Sequence, residues 1–153
     1  MKIFLKNFII FCVGFTLYQC IEGIWKTIGP GMGGVECFLM GVLGGLSLLL
    51  VGGLNKKLTW EMPFWLQSII GGFIIVSLEF VTGLIVNKWA CPALGRPIVW
   101  DYSNIPGNIL GQICPQFFAA WVVLAAICIL VDDYLRYKIY GEDKPHYVWW
   151  WKK

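Results

Sequence analysis

Four long apolar stretches restrict what this chain can fold into. They cover about residues 7–25, 35–54, 62–87 and 113–131, and each reaches the roughly 20 residues that an α-helix needs to cross a bilayer. A lone strand would leave its backbone groups unpaired in hydrocarbon, so each stretch must be helical. The sequence therefore predicts an all-α membrane protein, a single domain over 1–153 built as a bundle of four transmembrane helices.

The composition agrees with a chain whose main partner is the lipid bilayer. Hydrophobic residues make up 58% of the sequence and charged residues 14%, which lies outside the range of soluble domains. The basic residues flank the apolar runs and form no patch of their own, so the net charge of +3 does not indicate a nucleic-acid partner.

The distribution of Lys and Arg predicts the orientation, because cytoplasmic loops carry an excess of them. With the N-terminus inside, three basic residues lie outside: Lys26, Lys88 and Arg96. The inner side holds Lys2, Lys6, Lys56, Lys57, Arg136, Lys138, Lys144, Lys152 and Lys153. Nine against three predicts a multi-pass protein of the cell membrane with both termini, and the tail 132–153, in the cytoplasm. The first span lacks a small-x-small cleavage site and is expected to be retained.

Between the third and fourth spans lies a polar, turning segment, WDYSNIPGNILGQICPQFF. Pro106 and Gly107 turn the chain, and Asn108 and Gln112 are four residues apart as it enters the fourth span. We expect this segment to form a polar lid or re-entrant element on the outer side.

Two glutamates inside the spans call for an explanation, since a carboxylate in hydrocarbon costs at least about 2.5 kcal/mol. At about 1.5 Å per residue, Glu22 lies about 24 Å beyond Lys6 and Glu79 about 26 Å beyond Met62, so their depths match. Tyr18 shares the helical face of Glu22. The sequence predicts an outward-facing pocket lined by Glu22, Glu79, Thr82, Asp101, Tyr102, Asn108 and Gln112.

Three interpretations of this pocket remain open. The acids can brace the loop, with the Arg96 guanidinium and Trp indoles as their partners. They can instead bind a cation, a proton or a small polar solute, or they can catalyse a reaction. Catalysis is disfavoured because the chain has no HExxH, no Ser-His-Asp set and no phosphate-binding GxxxxGK[ST] loop. We expect no enzyme activity and no cofactor, and an ATP-driven system would need a separate ATPase or other membrane subunit.

Cysteine and histidine add little to this picture. The six Cys show no CxxC spacing and do not suggest a disulfide framework, although Cys91 and Cys114 flank the outer loop and their pairing stays open. The single His, His146, lies in the tail, which excludes a His-based metal site on the outer side. The identity of any metal is unknown.

Two further patterns concern packing and partners. Gly41, Gly45 and Gly52 form a small-residue stripe on the second span, which favours close helix packing and is also compatible with a homodimer. The ending YVWWWKK is typical of an interfacial anchor, and docking of a partner protein is its alternative.

The segments LEFVTGLIVNKW and LGRPIVWDYSNIPGNILGQICPQFFAAW resemble the bacterial family of small membrane proteins called "putative ABC-transporter type IV", or CmpB-like. The similarity is specific over Leu78 to Trp121, and YQCIEGIW places Tyr18 and Glu22 in the family's first-helix positions. The second span lacks the Arg and Pro of the family pattern. The matching positions from Glu79 onward are Glu79, Thr82, Gly83, Trp100, Asp101, Tyr102, Ser103, Pro106, Asn108 and Gly111.

The resemblance implies a helical bundle with a role in transport. We expect a transport-related membrane component that binds a cation or small polar solute in the pocket. The alternative is a non-transporting structural or regulatory membrane protein that recruits a partner through its aromatic tail. Structural roles are expected for Tyr18, Gly83, Arg96, Trp100, Pro106 and Gly111.

Overall fold

A computed structural model describes residues 3–27, 34–90 and 97–150. Helix α1 covers Ile3–Thr27, α2 covers Gly34–Gly52 and the single turn α3 covers Leu54–Lys57. Helix α4 covers Phe64–Gly83 and continues as a π-helical extension, Leu84–Ala90. Helix α5 covers Pro115–Tyr140.

Four segments of the described chain are long and apolar enough to cross a membrane: Ile3–Ile24, Gly34–Lys57, Phe64–Ala90 and Pro115–Tyr140. The prediction of an all-α protein with four membrane-spanning helices is confirmed, and the chain is a multi-pass membrane protein. The helices alternate in direction. We call the end that carries the loop 97–114 the loop end, and the end where α1 starts and α5 finishes the tail end.

Close approach between α1 and α2 depends on glycine. A Cβ atom added to Gly14 would lie 2.6 Å from the carbonyl oxygen of Gly44, and one added to Gly45 would lie 2.5 Å from the ring of Phe11. Backbones this close leave no room for larger side chains, which is the role that small residues take in membrane helix packing. The α2 glycines thus contact a neighbouring helix of the same chain.

The tail returns to the bundle after α5. Gly141 adopts a left-handed conformation, with φ of 66°, and ends the helix. The backbone N–H of Phe64 then donates to the carbonyl of Val148 at 2.7 Å, and the rings of Tyr147 and Trp149 pack on the Phe64 ring. Part of the predicted aromatic anchor therefore packs against α4, while Trp151 to Lys153 lie outside the described residues.

A network of charges joins the elements at the tail end. Glu142 forms ion pairs with Lys6 of α1 at 3.2 Å, with Lys56 of α3, and with Arg136 of α5 at 3.7 Å. Burial alone would raise the pKa of Glu142, but the hydrogen bonds from the two lysines lower it below its usual value. This network connects three helices to the tail.

Candidate functional site

The buried side chain of Asn87, in the π-helical extension of α4, makes four hydrogen bonds to the loop 97–114. Its amide nitrogen donates to the carbonyl of Trp100 at 3.1 Å and to the side-chain oxygen of Gln112 at 2.9 Å. Its oxygen accepts from the backbone N–H groups of Ile98 at 2.8 Å and Val99 at 3.3 Å. Asn87 thereby holds the start and the end of the loop together.

Hydrogen bonds within the loop complete its shape. The backbone N–H of Tyr102 donates to the carbonyl of Gly111 at 2.9 Å. The Asn108 side chain donates to the carbonyl of Ile105 at 2.8 Å and accepts from the N–H of Gly111 at 2.8 Å. Gly111 has a φ of 72°, which glycine adopts without strain. These bonds set the position of the Tyr102 side chain.

A cavity of about 680 Å³ lies at the loop end between α1, α4, α5 and the loop. Its volume falls in the range of small-molecule pockets, roughly 300–1,000 Å³. Three separate segments each place one carboxylate on its wall. The polar and aromatic lining includes Tyr18, Glu22, Glu79, Asp101, Tyr102 and Trp121.

Glu79 is the most buried of the three acids, with 6% of its surface exposed. Its Oε1 accepts a hydrogen bond from the Tyr102 hydroxyl at 3.0 Å, whereas its Oε2 is buried and has no hydrogen-bond partner in the described structure. Trp121 lies beside the carboxylate. An adjoining void of about 20 Å³, lined by Tyr18 and Ser47 among others, is large enough for one water molecule.

The loop groups that face the cavity have defined protonation preferences. Burial, followed by the nearby Glu79 carboxylate, raises the pKa of Tyr102 above its usual value. Hydrogen bonds from Ser103 lower the pKa of Asp101, and the backbone bond from Ser103 measures 2.9 Å. Near neutral pH, Tyr102 therefore donates as a phenol and Asp101 carries a negative charge.

The structure brings together four of the seven predicted pocket residues. Glu22, Glu79, Asp101 and Tyr102 line the loop-end cavity. The other three, Thr82, Asn108 and Gln112, are not among its lining residues.

Gln112 and Asn108 belong to the hydrogen-bond framework of the loop, and Thr82 lies partly buried on α4. Of the residues expected to have structural roles, Tyr18 lines the cavity and Gly83 lies against Gln112. Trp100 donates its indole N–H to the carbonyl of Gln112 at 2.8 Å.

The remaining predicted structural residues divide into two groups. Gly111 takes its loop position as described, and the carbonyl of Pro106 accepts from the Gln116 side chain at 2.8 Å. Arg96 lies outside the described residues, as does Cys91 and hence its predicted pairing with Cys114.

Sequence reasoning missed Asn87 and Trp121. Asn87 ends the third apolar stretch eight residues after Glu79, and its polarity there was the available signal. Trp121 resembled the other aromatic residues of the spans. Across the described ranges, no three His, Cys, Asp or Glu side chains are grouped so that they could hold a metal ion.

Comparison with known families gives a match over most of the chain. The family model described as "Putative ABC-transporter type IV" matches residues 7–151. Searches of curated proteins and of solved structures returned no match.

Proposed function

Because this chain belongs to the family described as "Putative ABC-transporter type IV", we propose that it is a transport-related membrane component that binds a cation or small polar solute in the loop-end cavity. The observation that supports this most is Glu79. Its carboxylate lies within a membrane-spanning segment, accepts from Tyr102 through one oxygen, and has its other oxygen buried beside the cavity with no well-formed hydrogen bond, although the Trp121 indole lies near as a donor.

A carboxylate in this position is costly unless something compensates its charge. Ionisable residues inside spans usually face a cavity or a partner and mark paths for ions or substrates. Glu22 and Asp101 add two further carboxylates to the same wall. A cation in the cavity would offset this concentration of negative charge, and hydroxyl or amide groups of a polar solute would satisfy the acceptor oxygens.

The loop gives the site a cover that can respond to a ligand. Tyr102 reaches Glu79 from the loop, and the Tyr102 ring stacks on Phe117 of α5 with centroids 5.1 Å apart. The loop, α4 and α5 thus meet at one side chain. The excess of Lys and Arg at the tail end supports an orientation in the cell membrane with the cavity outside and both termini in the cytoplasm.

Energy for transport would come from elsewhere. The sequence contains no nucleotide-binding loop. We therefore propose that a separate subunit hydrolyses ATP and that this chain has no enzyme activity. Within such a system, this chain would form a homodimer or assemble with another membrane subunit.

The test is a thermal-unfolding screen of the detergent-purified protein against sodium, potassium, methylammonium and neutral polar solutes. Glu79→Gln retains an acceptor oxygen for Tyr102, so we expect it to fold but to lose ligand-dependent stabilisation, which arises by mass action. Glu61→Gln is the matched control, because Glu61 is exposed and precedes α4, at the end of the bundle opposite the cavity. Absence of any stabilisation of the wild type, or equal stabilisation of both variants, would refute the proposal.

The aromatic tail supports a second candidate, a regulatory protein that recruits a partner. Trp149 and Trp150 are 62% and 77% exposed although the preceding tail is packed on the bundle. Under this alternative, Trp150→Ala would abolish a defined complex seen on size-exclusion chromatography while leaving the cation effect intact. Unchanged complexes in the variant would exclude it.

A further inference from the structure

A groove between α1 and α5 extends the loop-end cavity toward the tail end. A second cavity, of about 230 Å³, shares Tyr18, Ile21 and Leu124 with the loop-end cavity. Its lining continues along α1 to Gly14 and along α5 to Val131. The two cavities therefore form one continuous surface.

The side chains that line the groove are apolar and are exposed toward the surrounding lipid. Leu17, Ile21 and Ile127 line the groove, and each has 46% of its surface exposed. The nine residues from Gly14 to Glu22 span about 12 Å along α1, at about 1.5 Å per residue step. This length suits an alkyl chain, and the exposed side chains give such a chain access from the surrounding lipid.

We propose that the ligand of this site is a cationic amphiphile, an amine-bearing head joined to an alkyl chain that enters sideways from the membrane. This inference rests on the proposed function, since the head occupies the same loop-end cavity. The ammonium group lies against Glu79, on the side of the cavity that Asp101 also lines, and the alkyl chain follows Leu17 and Ile127.

The charge of the cavity wall determines which head group the cavity can bind. Among the described lining residues of the loop-end cavity, three are carboxylates and none is Lys, Arg or His. At close range, the buried Glu79 carboxylate attracts an ammonium group and repels a phosphate or carboxylate. The buried, unpartnered Oε2 of Glu79 supplies an acceptor for one of its N–H groups.

The apolar groove alone gives no selectivity, because lipid tails are as apolar as the side chains that line it. An ordinary lipid filling the groove would show no preference for its head group. A head-group preference is therefore the property that separates a ligand site from annular lipid.

The experiment uses the protein in lipid nanodiscs with three photoactivatable probes, each with a diazirine in a twelve-carbon chain: an amine, an alcohol and a carboxylate. We expect the amine to label Leu17, Ile21 or Ile127 at least ten-fold more than the other two probes do. Glu79→Gln should remove this preference. Equal labelling by all three probes would overturn the inference.

A second pair of variants separates this inference from the proposed function. Leu17→Trp fills the groove, so it should block labelling by the amine probe while stabilisation by methylammonium persists. Val81→Trp, at a similarly exposed position on α4 that lines neither cavity, is the control and should label as the wild type does. If methylammonium stabilises the wild type but the amine leaves the groove unlabelled, the inference fails and the proposed function stands. If neither a cation nor a neutral polar solute stabilises the wild type, the proposed function fails.

Discussion

Gly83, the last residue of α4, lets the loop lie directly against the helix. A Cβ atom added there would overlap the side-chain oxygen of Gln112, and it would lie 3.1 Å from Cδ of Gln112 and 3.2 Å from the indole nitrogen of Trp100. Both side chains are held by the loop framework. Gly83→Ala therefore forces Gln112 away from the helix and tests how the cavity's cover is fixed.

The expected size of the effect follows from the bonds that Gln112 makes. The side-chain oxygen of Gln112 accepts from the Asn87 amide at 2.9 Å, and the backbone carbonyl of Gln112 accepts from the Trp100 indole at 2.8 Å. Leaving a buried polar group unsatisfied costs about 1–3 kcal/mol, and overpacking costs about 1–3 kcal/mol more. Alanine returns about 1 kcal/mol through its higher helix propensity. We expect the free energy of unfolding to fall by about 1–5 kcal/mol, with a central value of about 3 kcal/mol.

Gly23→Ala is the matched control, because a Cβ atom on Gly23 of α1 meets no atom within 4 Å. This variant gains helix propensity without the collision, so we expect unchanged or slightly raised stability. Chemical denaturation in detergent, followed by tryptophan fluorescence, measures both variants. Equal stability of the two would show that Gln112 can move without cost, and the argument for a rigid cover would be wrong.

Three further predictions concern polar and charged side chains. Asn87→Ala removes four hydrogen bonds at a buried position, so we expect it to lower the free energy of unfolding by about 2–4 kcal/mol. The control is Asn108→Ala, at a partly exposed position, which should cost about 1 kcal/mol. Similar losses for the two variants in chemical denaturation would contradict this expectation. Asp132→Asn removes the carboxylate that Arg136 contacts at 2.6 Å but leaves its ion pair with Glu142 at 3.7 Å, so we expect a loss of about 1–3 kcal/mol. Replacing Asp132 and Arg136 by leucine should restore most of it, and a double variant as unstable as the single one would refute this. The pKa of Glu142 is lowered from its usual value of 4.5. Its contribution to tail packing is therefore fully present above pH 4.5 and is lost as the pH falls through the lower folded-state pKa. Hydrogen exchange should show the tail amides losing protection in that pH range, and Glu142→Gln should remove this pH dependence.

The number and type of helices could be predicted because hydropathy depends on composition over whole segments. A stretch such as Phe64–Ala90 has no alternative to a helix once it lies in hydrocarbon. The meeting of Glu22 and Glu79 at one cavity was also predictable. Their helices run in the same direction and place both carboxylates at the same depth, so only the rotation of each helix remained to be determined.

The loop could not be predicted in the same way. The four-residue spacing of Asn108 and Gln112 places them on one face only within a helix, but α5 starts at Pro115, and Cys114 before it is extended, with a φ of −149°. Spacing of four residues has no fixed meaning in such a segment. The side chains that hold the loop were set by tertiary contacts with Asn87, which sequence periodicity does not report.

The two ends of the bundle show why buried acids alone do not indicate a ligand site. At the tail end, Asp133 accepts from Asn55 at 2.6 Å and from Tyr147 at 3.0 Å, and Asp132 contacts Arg136. Those acids have donors from their own chain, including a positive charge, although Asp132 Oδ1 is buried without a hydrogen bond, as Glu79 Oε2 is. Glu79 has a tyrosine hydroxyl on one oxygen and a cavity whose described lining carries no basic residue. The same chain therefore contains both arrangements, and the difference in charge compensation is the reason that the loop end, rather than the tail end, is the site to test for a ligand.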